Sequence, residues 1–170
     1  GEKNIGLAYT YSEPIVWYEY VYDTAPLIRK AGLKNVLVTN GFINSLPFNE
    51  LLPLIDAVNI DLKSFNNDFY SKICSGDISF VKQNIETAVK SCHTEITTLI
   101  IPGLNDSEEE IASLSKWLAG LDADIPLHLS RYFPNYKMKS SPTPIKTMYQ
   151  MQNTAQKYLK NVYLGNMLQI

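Results

Sequence analysis

At 170 residues, 45% of them hydrophobic and 19% charged, the chain has the size and balance of one globular domain that buries a single core. A formal charge of −2 leaves no basic face for nucleic acid, and the longest apolar runs, such as Leu99-Ile100-Ile101, are strand-sized and span no bilayer. The opening Gly-Glu-Lys-Asn lacks the basic and apolar regions of a signal peptide, so the expectation is a soluble, cytoplasmic, single domain over 1–170. Cys74 and Cys92, with His93 and His128, make no metal-ligand spacing and read as reduced thiols.

In chain order, the first predicted strand is Ile5–Tyr9. It runs into Thr10-Tyr11-Ser12-Glu13-Pro14, where Pro14 biases Glu13 to an extended backbone from which its carboxylate projects over the end of the sheet. The plainer alternative makes Glu13 a helix N-terminal carboxylate favoured by the macrodipole. Ile15, Tyr18, Tyr22, Ala25 and Ile28 have helical spacing; Pro26 is expected to kink or split that helix, and Gly32 to end it. The second strand, Asn35–Thr39, leads into Thr39-Asn40-Gly41, a turn or a close approach to a ligand. The third, Ala57–Leu62, continues into Lys63 so that Asn59, Asp61 and Lys63 share one face. An inward Asp and Lys on a buried strand must pair with each other or meet a ligand.

A further helical stretch runs through Phe80, Val81, Ile85, Ala88 and Val89 to the fourth strand, Glu95–Ile101. Pro102-Gly103 marks a turn, and Asp106, Ser107 and Glu110 read as an N-cap and capping box for a helix through Ile111, Leu114, Trp117, Leu118 and Leu121. The fifth strand, Pro126–Tyr132, puts His128, Ser130 and Tyr132 on one face and Leu127, Leu129 and Arg131 on the other; period alone does not say which is inward. After a Pro- and Ser-rich loop, Pro144 fits a first helical position ahead of Ile145, Met148, Ala155 and Leu159, and Asn161–Leu164 is the last strand. Strands alternating with helices predict parallel βαβ units. An eight-unit barrel takes about 250 residues, so the expected fold is α/β, a partial barrel or an open sheet, with ligands at the carboxyl ends of the strands.

Thr10-Tyr11-Ser12-Glu13-Pro14, Val38-Thr39-Asn40-Gly41-Phe42, Asn59-Ile60-Asp61-Leu62-Lys63 and Ile101-Pro102-Gly103-Leu104-Asn105-Asp106, in that order, carry a resemblance over essentially the whole chain. The chain resembles the radical S-adenosylmethionine (SAM) enzymes, in particular the activating enzymes of glycyl-radical proteins such as pyruvate formate-lyase, and the radical SAM protein of the AmmeMemoRadiSam group. The resemblance implies a partial (β/α)6 TIM-like barrel without its first βα unit. It implies an oxidoreductase that uses S-adenosyl-L-methionine and a [4Fe–4S] cluster to generate a 5′-deoxyadenosyl radical, with a glycyl-radical enzyme or another protein as partner. It places S-adenosylmethionine contacts at Glu13, Thr39, Asn40, Asp61 and Lys63. Glu13 stands in the family's Gly-Gly-Glu motif with Tyr11 and Ser12 in place of the glycines, Thr97 stands where an arginine is expected, and the family's histidine after the fifth strand falls near Tyr132 or Phe133.

The family's Cys-x3-Cys-x2-Cys loop has no counterpart in the chain, so no cluster ligand is assigned here; they are expected before Gly1, and the chain alone is expected to be inactive. The Ile5–Tyr9 strand is then expected to be an exposed edge open to self-association. Two other readings stand beside this one: a non-catalytic, partner-binding barrel that has lost the cluster, and an unrelated (β/α)-barrel aldolase or isomerase in which Lys63 or Asp61 acts directly.

Overall fold

The structure is a computed structural model that describes residues 4–167. Six parallel strands follow one another in sequence order in one sheet, with β1 and β6 at its two ends, so the sheet is not closed into a barrel. The chain divides into two compact units, Gly1–Asp61 with Ser79–Glu95, and Leu62–Ile78 with Ile96–Ile170.

The first unit holds β1 (Gly6–Tyr9), α1 (Tyr18–Lys30), β2 (Lys34–Thr39), α2 (Ser45–Leu51) and β3 (Ala57–Asp61). Its strands pair in register Leu7 with Asn35 and Val38 with Asn59. Burial alternates along β2 and β3. Leu37, Val58 and Ile60 are fully covered, whereas Val36, Val38, Asn59 and Asp61 are half-buried, which gives this part of the sheet a closed and an open face. Asn35 is fully buried at the start of β2. It accepts from the Tyr9 hydroxyl at 2.9 Å and donates to the carbonyls of Ala25 and Leu54, so a buried amide is satisfied from three elements.

The second unit holds the short helix α3 (Asn67–Phe69), which continues as a π-helical turn over Tyr70–Cys74, then α5 (Glu108–Leu121), β5 (Leu127–Arg131), α6 (Ile145–Ala155) and β6 (Val162–Gly165). Helix α4 (Ile78–Val89) and strand β4 (His93–Ile100) begin in one unit and end in the other. Thr97 stands beside His128 and His128 beside Tyr163, all half-buried or exposed, while Ile96, Leu127, Leu129 and Arg131 are buried. The face of β5 that the sequence left undecided is thereby assigned: His128 and Ser130 lie on the open side.

Several local expectations need correction. Helix α1 is not split at Pro26, which lies on its exposed side together with Tyr22, whose carbonyl would have received the missing N–H. It ends as expected, with Gly32 at φ +75° just past Ala31. Pro144 is the N-cap of α6, with extended backbone, and not its first helical residue. Helix α2, with Pro47 in its first turn, and α3 are too short for their periodicity to be read. The capping box at α5 is half formed: Ser107 Oγ accepts from Glu110 N at 3.2 Å, but the Glu110 carboxylate turns away to another partner.

Candidate functional site

In the first unit, Glu13, Thr39 and Asn40 come together at the carboxyl ends of β1 and β2. Glu13 has the extended backbone that Pro14 imposes (φ −109°, ψ 112°). Its Oε1 accepts from Thr39 Oγ1 at 2.6 Å and from Ile15 N at 3.2 Å, and its Oε2 accepts from Asn40 N at 2.7 Å. Glu13 caps the 3-10 turn Pro14–Trp17, and its carboxylate is bonded at the carboxyl end of β2. Thr39 Oγ1 accepts in turn from Gly41 N, and Asn40 Oδ1 accepts from Phe42 N at 2.8 Å. Bonds of this kind hold a carboxylate in one orientation.

Tyr11 and Ser12, which stand where the resemblance expects glycines, have φ of 60° and 53°. The backbone thus keeps the left-handed conformation that glycine favours, although neither residue is glycine. Strain of this sort persists where the surrounding structure requires that path. Beside the turn after β2 lies a hollow of about 280 Å³, lined by Ile15, Phe42, Ile43, Asn44 and Phe80. Its lining brings no charged group, so it suits an apolar guest.

Asp61 closes β3 on the half-buried face, as the alternation requires, and Lys63 lies two residues on, just past the strand. Lys63 is the second residue of the second unit and lies within a dense set of hydrogen bonds. Thr98 Oγ1 donates to Leu62 O at 2.9 Å, Lys63 N donates to the Tyr70 hydroxyl at 3.0 Å, and Asn105 Nδ2 donates to Lys63 O at 2.7 Å. The Glu110 carboxylate accepts from Ser64 Oγ and from Phe65 N. Sequence reasoning did not assign Tyr70, Asn105 or Glu110 to this segment. The Pro-Gly-Leu-Asn turn carried a signal for Asn105; nothing in the sequence pointed to Tyr70.

Elsewhere in the second unit, the His128 and Tyr163 rings stack at 5.4 Å on the open side of the sheet. Tyr132 is buried, and Arg131 is buried beneath the sheet with its Nε donating to Thr143 O at 2.7 Å and its guanidinium 4.7 Å from the Phe133 ring centroid. Among the described residues, no group of three or more His, Cys, Asp and Glu side chains is arranged to hold a metal ion. Burial raises the pKa of both Cys74 and Cys92, the opposite of what a thiolate ligand needs. The described residues therefore do not fit an iron–sulfur cluster. No helix among them is long and apolar enough to cross a membrane.

In the first unit a hydrogen-bonded carboxylate thus sits at the carboxyl ends of parallel strands, the edge at which open α/β sheets bind their ligands. The family model described as the Radical SAM superfamily matches residues 5–115, and the chain belongs to that superfamily. It is 41% identical over 165 residues, 95% of its length, to an uncharacterised protein of Methanocaldococcus jannaschii, of which it covers 49%. It is 26% identical over 118 residues to the pyruvate formate-lyase 1-activating enzyme of Escherichia coli K12, covering 66% of this chain and 47% of that protein. The chain thus spans about half the length of the curated relatives it matches. Its fold matches a domain of pyruvate-formate lyase-activating enzyme from Bacteroides vulgatus with a TM-score of 0.80 at 20% identity, covering 95% of this chain and 99% of that one. Membership sets aside the unrelated aldolase or isomerase reading.

Proposed function

We propose that this chain is the S-adenosylmethionine-binding core of a radical SAM oxidoreductase of the activating-enzyme type. In this reading the [4Fe–4S] cluster is held by cysteines outside Gly1–Ile170, and the target is a glycyl-radical enzyme or another protein. The observation that carries it is the Glu13 carboxylate, fixed by the Thr39 hydroxyl and the Asn40 N–H at the ends of two parallel strands.

Such a carboxylate is placed to receive the ammonium of the cofactor's methionyl group, since three donors already fix its orientation. Thr39 and Asn40 act through Glu13 and through the turn that they close. Asp61 and Lys63 bring one charge of each sign, which complements a ligand carrying an ammonium, a sulfonium and a carboxylate. When bound, S-adenosylmethionine supplies the one-electron hydrogen-abstraction chemistry; the protein binds it, orients it and excludes water.

The test is calorimetric binding of S-adenosylmethionine to the cluster-loaded full-length protein. A hydrogen bond to a charged group is worth about 1.5–3 kcal/mol, so Glu13→Ala and Asp61→Ala are each expected to weaken binding roughly tenfold or more, with iron content unchanged. Wild-type affinity in both variants would make the two carboxylates structural and refute this reading.

A further inference from the structure

The stretch Leu62–Phe65 belongs to neither a helix nor a strand, yet each of its four residues is bonded to a side chain from a distant part of the second unit. Lys63 is the residue held on both sides. Its N–H donates to the hydroxyl of Tyr70, the first residue of the π-helical turn, and its carbonyl accepts from Asn105. Asn105 is itself locked: Nδ2 also donates to Leu99 O at 2.8 Å, and Oδ1 accepts from Ile101 N at 2.7 Å. The amide therefore ties the end of β4 to the peptide that follows Lys63. Tyr70 is 3% exposed and Asn105 is 1% exposed, so neither bond competes with bulk water.

Three further details set this arrangement apart from an ordinary loop anchor. Glu110 gives up its half of the capping box to accept from Ser64 and Phe65, leaving the Lys63 peptide gripped on its carboxyl side as well. The turn that begins at Tyr70 adopts π-helical geometry and ends at Ser75 with φ 55°, a rarely populated backbone. Such one-turn π segments concentrate at functional sites. Lysine also has a long, flexible stem, so its ammonium is aimed only as well as its backbone is held.

We infer that Tyr70 and Asn105 are positioning residues that fix the Lys63 backbone so that its ammonium meets the carboxylate of S-adenosylmethionine. The inference rests on the function proposed above. Two bonds to the peptide units flanking one Cα set the direction of its Cα–Cβ bond, and a displacement of about 1 Å at a binding group is costly.

A double-mutant cycle on the cluster-loaded full-length protein, read by calorimetric S-adenosylmethionine affinity, tests it. Tyr70→Phe removes only the oxygen that accepts from Lys63 N and is expected to weaken binding about threefold to tenfold. Lys63→Ala is expected to weaken it about tenfold or more, and Tyr70→Phe added to Lys63→Ala should cost nothing further. If Tyr70→Phe weakens binding equally in both backgrounds, Tyr70 is merely structural and the inference is overturned. If Lys63→Ala weakens binding and Tyr70→Phe does not, the positioning role alone is refuted. If Lys63→Ala binds as wild type, the cofactor role of Lys63 fails first, and the positioning role with it. Should Tyr70→Phe not fold, Asn105→Ser carried through the same cycle decides the question by the same criteria.

Discussion

The side-chain amide of Asn84, buried on α4, donates to the carbonyl of Gly41 at 2.9 Å and also to that of Ile43 at 2.8 Å. One amide thus closes the turn that carries Thr39 and Asn40 against α4, which follows in the chain only after α2, β3 and α3. The turn depends on glycine. Gly41 has φ +68°, and a Cβ there would stand 2.8 Å from Ile60 Cγ2.

Gly41→Ala is therefore expected to destabilise the protein by about 2 kcal/mol or more, from the left-handed backbone and the clash together. Tyr11→Gly is the instructive contrast. Tyr11 has φ 60° but is 87% exposed, so removing its side chain relieves the backbone and loses little packing. Denaturant midpoints should fall for Gly41→Ala and stay level or rise for Tyr11→Gly; the reverse order would contradict the backbone geometry described here.

Asp56 provides a pH-dependent test. Its Oδ2 accepts from Asn35 N at 2.9 Å and its Oδ1 meets Lys34 Nζ at 2.9 Å. The Asn35 N–H first, and the Lys34 ammonium second, hold its carboxyl below the usual carboxylate range. A folded-state pKa depressed below the unfolded value adds stability that is fully present above the unfolded pKa. That stability is lost as pH falls through the folded pKa. Asp56→Asn should thus cost on the order of 1 kcal/mol at neutral pH, where the exposed Lys34 contributes little. Unfolding curves of variant and wild type should converge as the solution is acidified past the carboxylate range, and a constant gap across pH would count against the mechanism.

The cysteines carry the third expectation. Because Cys74 and Cys92 are free thiols with raised pKa, and no group of three or more metal-ligating side chains is found among the described residues, anaerobic reconstitution of the 170-residue chain with iron and sulfide should leave it without a stoichiometric [4Fe–4S] cluster. Iron and sulfide analysis with electron paramagnetic resonance would detect one. Four irons per chain would show that ligands were overlooked.

Much of this protein is legible in one dimension. The alternation of strands and helices, the Ser107 cap, the stop at Gly32 and the shared face of Asn59 and Asp61 all follow from interactions within a few residues, which period and propensity record directly. The extended backbone of Glu13 belongs with them, since a proline restrains only its immediate neighbour. Other features depend on which distant atoms meet. Glu110 has the spacing of a capping box, yet the peptide after β3 offers it a hydroxyl and an N–H, and it takes those. Tyr70 looks like any half-apolar residue until its hydroxyl is found beneath Lys63 N, and Asn105 reads as part of a turn until its amide bridges two carbonyls. Local order is written in sequence spacing because its partners are fixed by the chain itself. A buried polar group takes whichever partner the packed tertiary structure brings to it, and that choice has no period to read.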